Sequence, residues 1–203
     1  MTPGAMAALR RLRPAAAAAA AAARCELCAQ PLGGGHEHVL ERESGRIGCA
    51  CTACALLFEG EGRAWRRLPR DSRALGGFEL SAAEWAGLGI PIGLAFFWRA
   101  GGGEGCAAYP SPGGAVRATI APEAWAALEA AHPELGAMAN EVEALLLNRM
   151  EGRQLAFVVP LDQAYRLVGL IRSAWSGWGG GPEVGRALRR YWAELEEGGA
   201  GHA

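Results

Sequence analysis

The sequence predicts an α+β fold: an N-terminal zinc-ribbon-like knuckle unit built on a β-hairpin, followed by a mixed α+β domain. Three observations carry this. Two CxxC pairs, Cys25/Cys28 and Cys51/Cys54, flank a hairpin pattern. Short apolar runs of strand length, separated by glycine turns, follow from Leu94 onward. Helical apolar stripes are interspersed among them without a strict βαβ repeat, which separates α+β from a parallel α/β sheet. The chain of 203 residues is long enough for one medium domain or two small ones. The composition divides it into a disordered alanine-rich arm (1–24), the metal unit (25–58), a basic linker (59–74), the α+β domain (75–197) and a tail (198–203).

Each element has a local reason. His38–Glu43 and Arg46–Cys51 read as two short strands joined at Ser44–Gly45, a hairpin signal. Ser81 and Glu84 form a capping box that opens a short helix carrying Trp85 and Leu88, ended by Gly89 and Pro91. Leu94–Trp98, Cys106–Tyr109 and Ala115–Ile120 have the length and apolar character of strands. Pro122 suits a first helical position, with Trp125 and Leu128 on one side. Val142, Leu145 and Leu146 recur at helical spacing within 141–149, with a strand as the alternative. Leu155–Val159 is a buried-type strand ended by Pro160. Asp162 is placed to cap a helix whose Ala164, Val168, Ile171 and Trp175 share a face. After the loop Gly177–Gly181, Pro182 starts a last amphipathic helix with Val184, Leu188, Tyr191 and Leu195 on one stripe.

Composition excludes more than it suggests. Apolar residues make up 51% and charged residues 20%, with a formal net charge of −1; this is the balance of a soluble globular protein. No run approaches the roughly 20 strongly apolar residues of a membrane span. Arginines precede the alanine run Ala15–Ala23, as in an export signal. Alanine is weakly hydrophobic, however, and Pro14 intervenes, so a low-complexity arm is the better reading. Lysine is absent, which excludes a standard P-loop for either glycine string, Gly101–Gly105 or Gly177–Gly181. Neither a G-x-S-x-G elbow nor an H-E-x-x-H helix occurs. Asp162, Tyr165 and Arg166 are the one polar set among apolar elements, and a helix cap plus a snorkelling arginine accounts for them. Cys106 reads as a small buried apolar residue, and His132 has no catalytic companion. Catalysis therefore finds no support.

The cysteines say most. A CxxC turn presents two thiolates on one knuckle, and two knuckles joined by a hairpin supply the tetrahedral four-sulfur set that zinc prefers. Cys25, Cys28, Cys51 and Cys54 are the expected ligands, with zinc as the metal and an iron–sulfur cluster as the alternative. Cys49 is a surplus thiol; it shares a strand face with Cys51 and is an alternative ligand. His36 and His38 stand between the knuckles, suited to hydrogen-bonding ligand sulfurs or to replacing one of them. Five thiols within thirty residues in metal-like spacing suit a reducing cytoplasm.

The strings CELC, CACTACALLF, LGIPIGLAFFWR, YPSPGGA and VPLDQAYRLVGLIR resemble a bacterial, mainly actinobacterial, protein family whose genes lie among those for high-affinity nickel–iron (NiFe) hydrogenases and their maturation factors. The resemblance covers roughly residues 25–195. It implies an accessory part in hydrogenase assembly, electron transfer or regulation, and all five clustered cysteines fall on its cysteine motif. The function expected is a non-catalytic metal-binding protein that contacts a hydrogenase subunit or maturation factor. Iron–sulfur electron transfer and zinc-ribbon nucleic-acid binding are the alternatives. Residues 1–75 carry a charge of +4 and the remainder −5, and a four-thiolate zinc site removes about two positive charges from the first. That balance suits an acidic protein surface at least as well as phosphates, with Trp65, Arg66, Arg67 and Arg70 as the expected partner surface.

Overall fold

Alternating side-chain faces build two sheets from this chain. The computed structural model describes residues 23–60, 62–152, 154–177 and 180–199. The alanine-rich arm up to residue 22 and the tail from 200 lie outside the described residues.

The first sheet is a hairpin with an added strand. Strand β1 (Glu37–Glu41) pairs antiparallel with β2 (Arg46–Ala50), Glu41 facing Arg46 and Glu37 facing Ala50. Gly45 turns the hairpin at φ +68, a left-handed conformation that glycine adopts without steric cost. Helix α1 (Thr52–Phe58) follows at once. Strand β3 (Trp65–Arg67) then returns along the other edge of β1, giving the order β2-β1-β3. Strand β4 (Arg73–Ala74) already belongs to the second sheet. Residues 59–74 are thus not the linker expected from their arginine content, because their strands tie into both sheets. At the N-terminal side Leu32 donates its amide to the Ala23 carbonyl at 2.7 Å, so Ala23 and Arg24 belong to the knuckle and not to the arm.

The second sheet is antiparallel throughout. Helix α2 (Ala82–Gly87) begins at the expected capping box, in which Ser81 and Glu84 exchange side-chain and backbone bonds. Strands β5 (Leu94–Arg99), β6 (Gly105–Ser111) and β7 (Gly114–Thr119) form a meander; helix α3 (Pro122–Ala131) and a 3-10 segment (Pro133–Ala137) follow. Strand β8 (Glu143–Asn148), strand β9 (Leu155–Pro160), helix α4 (Leu161–Ala174) and helix α5 (Gly181–Gly199) complete the chain. The strand order is β4-β9-β8-β5-β6-β7. The last helix runs through Gly199, past the expected start of the tail.

Both faces of this sheet are covered, so its central strands are apolar without interruption. Leu94, Phe96 and Trp98 enter the core beneath α4 and α5, with Leu167, Val168, Ile171, Tyr191 and Trp192. Ala95 and Phe97 point to the opposite core, which Leu88, Trp125, Leu128 and Leu135 cover. The same alternation explains why 141–149 is not a helix. Ala144 and Leu146 go to one core and Leu145 and Leu147 to the other, the period-2 alternation of a central strand covered on both faces. Leu40 of β1 and Leu68 just after β3 join the α4/α5 core, seating the small sheet against the large one. Among the described residues no helix is long and apolar enough to cross a membrane.

Candidate metal centre

The two CxxC knuckles converge. The sulfurs of Cys25, Cys28, Cys51 and Cys54 all lie within 4.8 Å of one another, and those of Cys28 and Cys51 are 3.8 Å apart. Zinc–sulfur bonds of about 2.3 Å give a tetrahedron with edges of roughly 3.8 Å. All four are free thiols, so this proximity is not that of a disulfide. The first knuckle closes through the Ala29 amide, which donates to the Cys25 carbonyl at 2.7 Å, with Ala29 itself at φ +60. The second closes through Cys51, the N-cap of α1, whose sulfur accepts from the Cys54 amide at 3.4 Å. Four cysteines this close can hold a metal ion.

Electrostatics say the same from another direction. Burial pushes the Cys25 thiol up, but backbone amides of Cys51, Cys28 and Leu27 outweigh it and bring it down to about 6. Cys54 is pushed up to about 12, first by its hydrogen bond to Cys28 and then by burial. The bare quartet accepts one negative charge readily and resists the last. A dication resolves that conflict, because it stabilises every thiolate at once.

Glu26, inside the first knuckle, ties it to β2. Its carboxylate accepts the Cys49 amide at 2.8 Å and pairs with Arg46, while its own amide donates to the Cys49 carbonyl at 2.9 Å. The Cys49 amide and then Arg46 hold the Glu26 carboxyl below its usual range. Gly48 makes room for it: a Cβ there would stand 2.8 Å from the carboxylate.

Cys49 is not an alternative member of the quartet. Strand β2 ends at Ala50 and the chain turns at Cys51 to cap α1, so the shared strand face expected of Cys49 and Cys51 is broken. Instead Cys49 faces His38 directly across the hairpin. A ring nitrogen of His36, a ring nitrogen of His38 and the Cys49 sulfur lie within 4.8 Å of one another. The two histidines therefore gather around Cys49 and not around the quartet sulfurs. His36 donates Nδ1–H to the Gly33 carbonyl at 2.9 Å, and His38 donates Nδ1–H to Asp162 Oδ2 at 2.6 Å. Asp162 was expected to cap its helix, but α4 starts one residue earlier with Pro160 at the cap. Its carboxylate is thereby free to reach the hairpin.

The basic segment is consumed internally. Arg70 bonds the buried Glu37 at 2.7 Å and the Gly35 carbonyl at 2.7 Å. Arg66 meets the buried Glu141 at 3.3 Å, alongside Arg42 at 2.8 Å. Arg67 pairs with Glu59 at 3.4 Å, and Arg73 with the buried Glu143 at 2.6 Å. Trp65 is half-buried against the knuckle core, with the Arg46 guanidinium 5.6 Å from its ring centre. Arg66 and Arg70 thus neutralise buried glutamates, Arg67 pairs with the half-exposed Glu59, and Trp65 packs on the knuckle core, so the expected partner surface is not a patch of unpaired cations. The sequence reading missed those glutamates and the Asp162–His38 bond, all of which depend on distant partners. It also missed Leu56, Leu57 and Phe58 at the end of α1, which are 56%, 67% and 38% exposed.

A cysteine-knuckle sheet seated on a two-sided antiparallel α+β body is the class of protein that this fold and site define. The chain belongs to the Family of unknown function (DUF5947), which it matches over residues 24–199. Comparison with curated proteins and with solved structures found no match.

Proposed function

We propose that the chain is a non-catalytic accessory protein in which zinc on Cys25, Cys28, Cys51 and Cys54 fixes α1 as a docking element for a protein partner. The observation that carries this reading is the run Leu56–Leu57–Phe58. Three large apolar side chains in succession stand open to solvent on the helix that Cys51 and Cys54 anchor. Large apolar side chains exposed together at the end of one short helix mark an interaction site, and a metal-stapled helix presents them without paying ordering entropy on binding. The resemblance to proteins encoded beside nickel–iron hydrogenases supports a hydrogenase subunit or maturation factor as that partner.

Zinc is preferred to an iron–sulfur cluster on geometric grounds. Four sulfurs mutually within 4.8 Å enclose one ion, whereas a cluster interposes further iron and sulfide atoms and spreads its thiolates. Protein purified without oxygen should be colourless and hold zinc. Brown protein with visible charge-transfer absorption would make the quartet an iron–sulfur centre instead.

Partner capture tests the docking surface. Tagged wild-type protein expressed in its native host should recover hydrogenase or maturation subunits, and Leu57→Asp should reduce that recovery at least tenfold with zinc content unchanged. Equal recovery by the variant would remove α1 as the surface. Recovery of nucleic acid in place of those subunits would replace the accessory reading with the nucleic-acid one.

A further inference from the structure

The hairpin carries different chemistry on its two faces. Val39 and Ala50 point to the knuckle core with Cys25 and Cys54. His38 and Cys49 point the other way, on the face whose Leu40 and Ile47 pack against the α+β body. We propose that His36, His38 and Cys49 form a second transition-metal site, held at the seam between the two sheets and oriented by Asp162. The site shares no ligand with the quartet, although its three residues lie in the segment that the quartet braces.

Four features of the geometry converge on it. A ring nitrogen of each histidine and the Cys49 sulfur lie within 4.8 Å of one another; bonds of roughly 2.0–2.3 Å draw tetrahedral donors to roughly 3.3–3.8 Å, a small contraction. Each imidazole has its Nδ1–H committed, to Gly33 in one case and Asp162 in the other. That fixes the tautomer and leaves the Nε2 lone pair as the ligating one, which is the arrangement metal-bound histidines adopt. His36 Nε2 is buried with no hydrogen-bond partner, an uncompensated cost that a metal bond removes. Asp162 Oδ1 is likewise buried and unpartnered, an acceptor for a water bound to the ion.

Two nitrogens and one thiolate suit a borderline divalent ion such as zinc. Three protein ligands leave a fourth position for water or an exchangeable ligand, unlike the closed quartet. A cleft of about 190 Å³ opens beside the cluster, lined by His36, His38, Arg70, Asp162 and Gln163 among others, and provides the entry path. In Cys49 the site uses the thiol that the quartet does not need.

Cobalt titration of the full chain without oxygen, with metal content measured in parallel, tests the site. Wild type should bind two equivalents, and the second should add thiolate-to-cobalt absorption. Cys49→Ala and His38→Ala should each stop at one equivalent, with near-ultraviolet circular dichroism like that of wild type. Saturation of wild type at one equivalent that Cys49→Ala retains would overturn the proposal, as would two equivalents in both variants. One equivalent in wild type that Cys49→Ala loses and Cys28→Ser keeps would support this site while refuting the zinc quartet.

Discussion

Cys25→Ser combined with Cys54→Ser should strip the quartet of metal and unfold the knuckle, while the six-stranded sheet stays intact. The knuckle core is small: Cys25, Val39, Ala50, Cys54 and Ala55, with Leu27, Leu32, Cys51 and Trp65 at its edge. Two of its five buried members are ligands, so losing them removes both packing and staple. Structural zinc contributes apparent binding energies of about 10–16 kcal/mol in isolated fingers, more than so few apolar residues replace. Hydrogen exchange should show protection lost across residues 25–58 and retained in β5, β8 and β9. Chelation of the wild type should give the same pattern. Retention of knuckle protection in the double variant would mean that packing alone holds it.

Glu141→Gln should lower the stability of the whole chain by about 2–3 kcal/mol, read as a shift in the urea midpoint. Glu141 is only 7% exposed, and its carboxylate receives Arg42 from the hairpin turn and Arg66 from β3. Its amide meanwhile donates to the Arg99 carbonyl at 2.8 Å, fixing it to the end of β5. Removing one partner of a buried pair typically costs about 3–5 kcal/mol; both arginines are partly hydrated, which reduces the figure. Glutamine keeps the shape, so the loss reports charge and not packing. A double-mutant cycle with Arg42→Ala should show coupling of about 1 kcal/mol or more. An unchanged midpoint would show that Leu40 and Leu68 hold the two sheets together without the charges.

What was readable from the residues follows the range of the interactions concerned. The CxxC pairs, the Ser81–Glu84 box and the strand Leu155–Val159 depend on neighbours a few positions away, and each lies where local chemistry puts it. Val142, Leu145 and Leu146 misled because an all-apolar run fits period 3.6 and period 2 equally. Burial on both faces of a central strand decided between them. Arg66 and Arg73 read as solvent-facing because their counter-charges, Glu141 and Glu143, are some seventy residues distant, and Arg70 because Glu37 is 33 residues away. Cys49, His36 and His38 were legible in principle: the register that sets Glu41 opposite Arg46 also sets His38 opposite Cys49, with His36 two residues along. Asp162, separated from His38 by 124 residues, was not.

The most direct test of the structural-metal reading is X-ray absorption at the zinc edge on the Cys49→Ala chain, which leaves the quartet as the one complete cysteine set. A single shell of four sulfurs at about 2.3 Å, with one zinc per chain, is the expected result. A shell dominated by nitrogen or oxygen, or iron with an iron–iron vector, would contradict it.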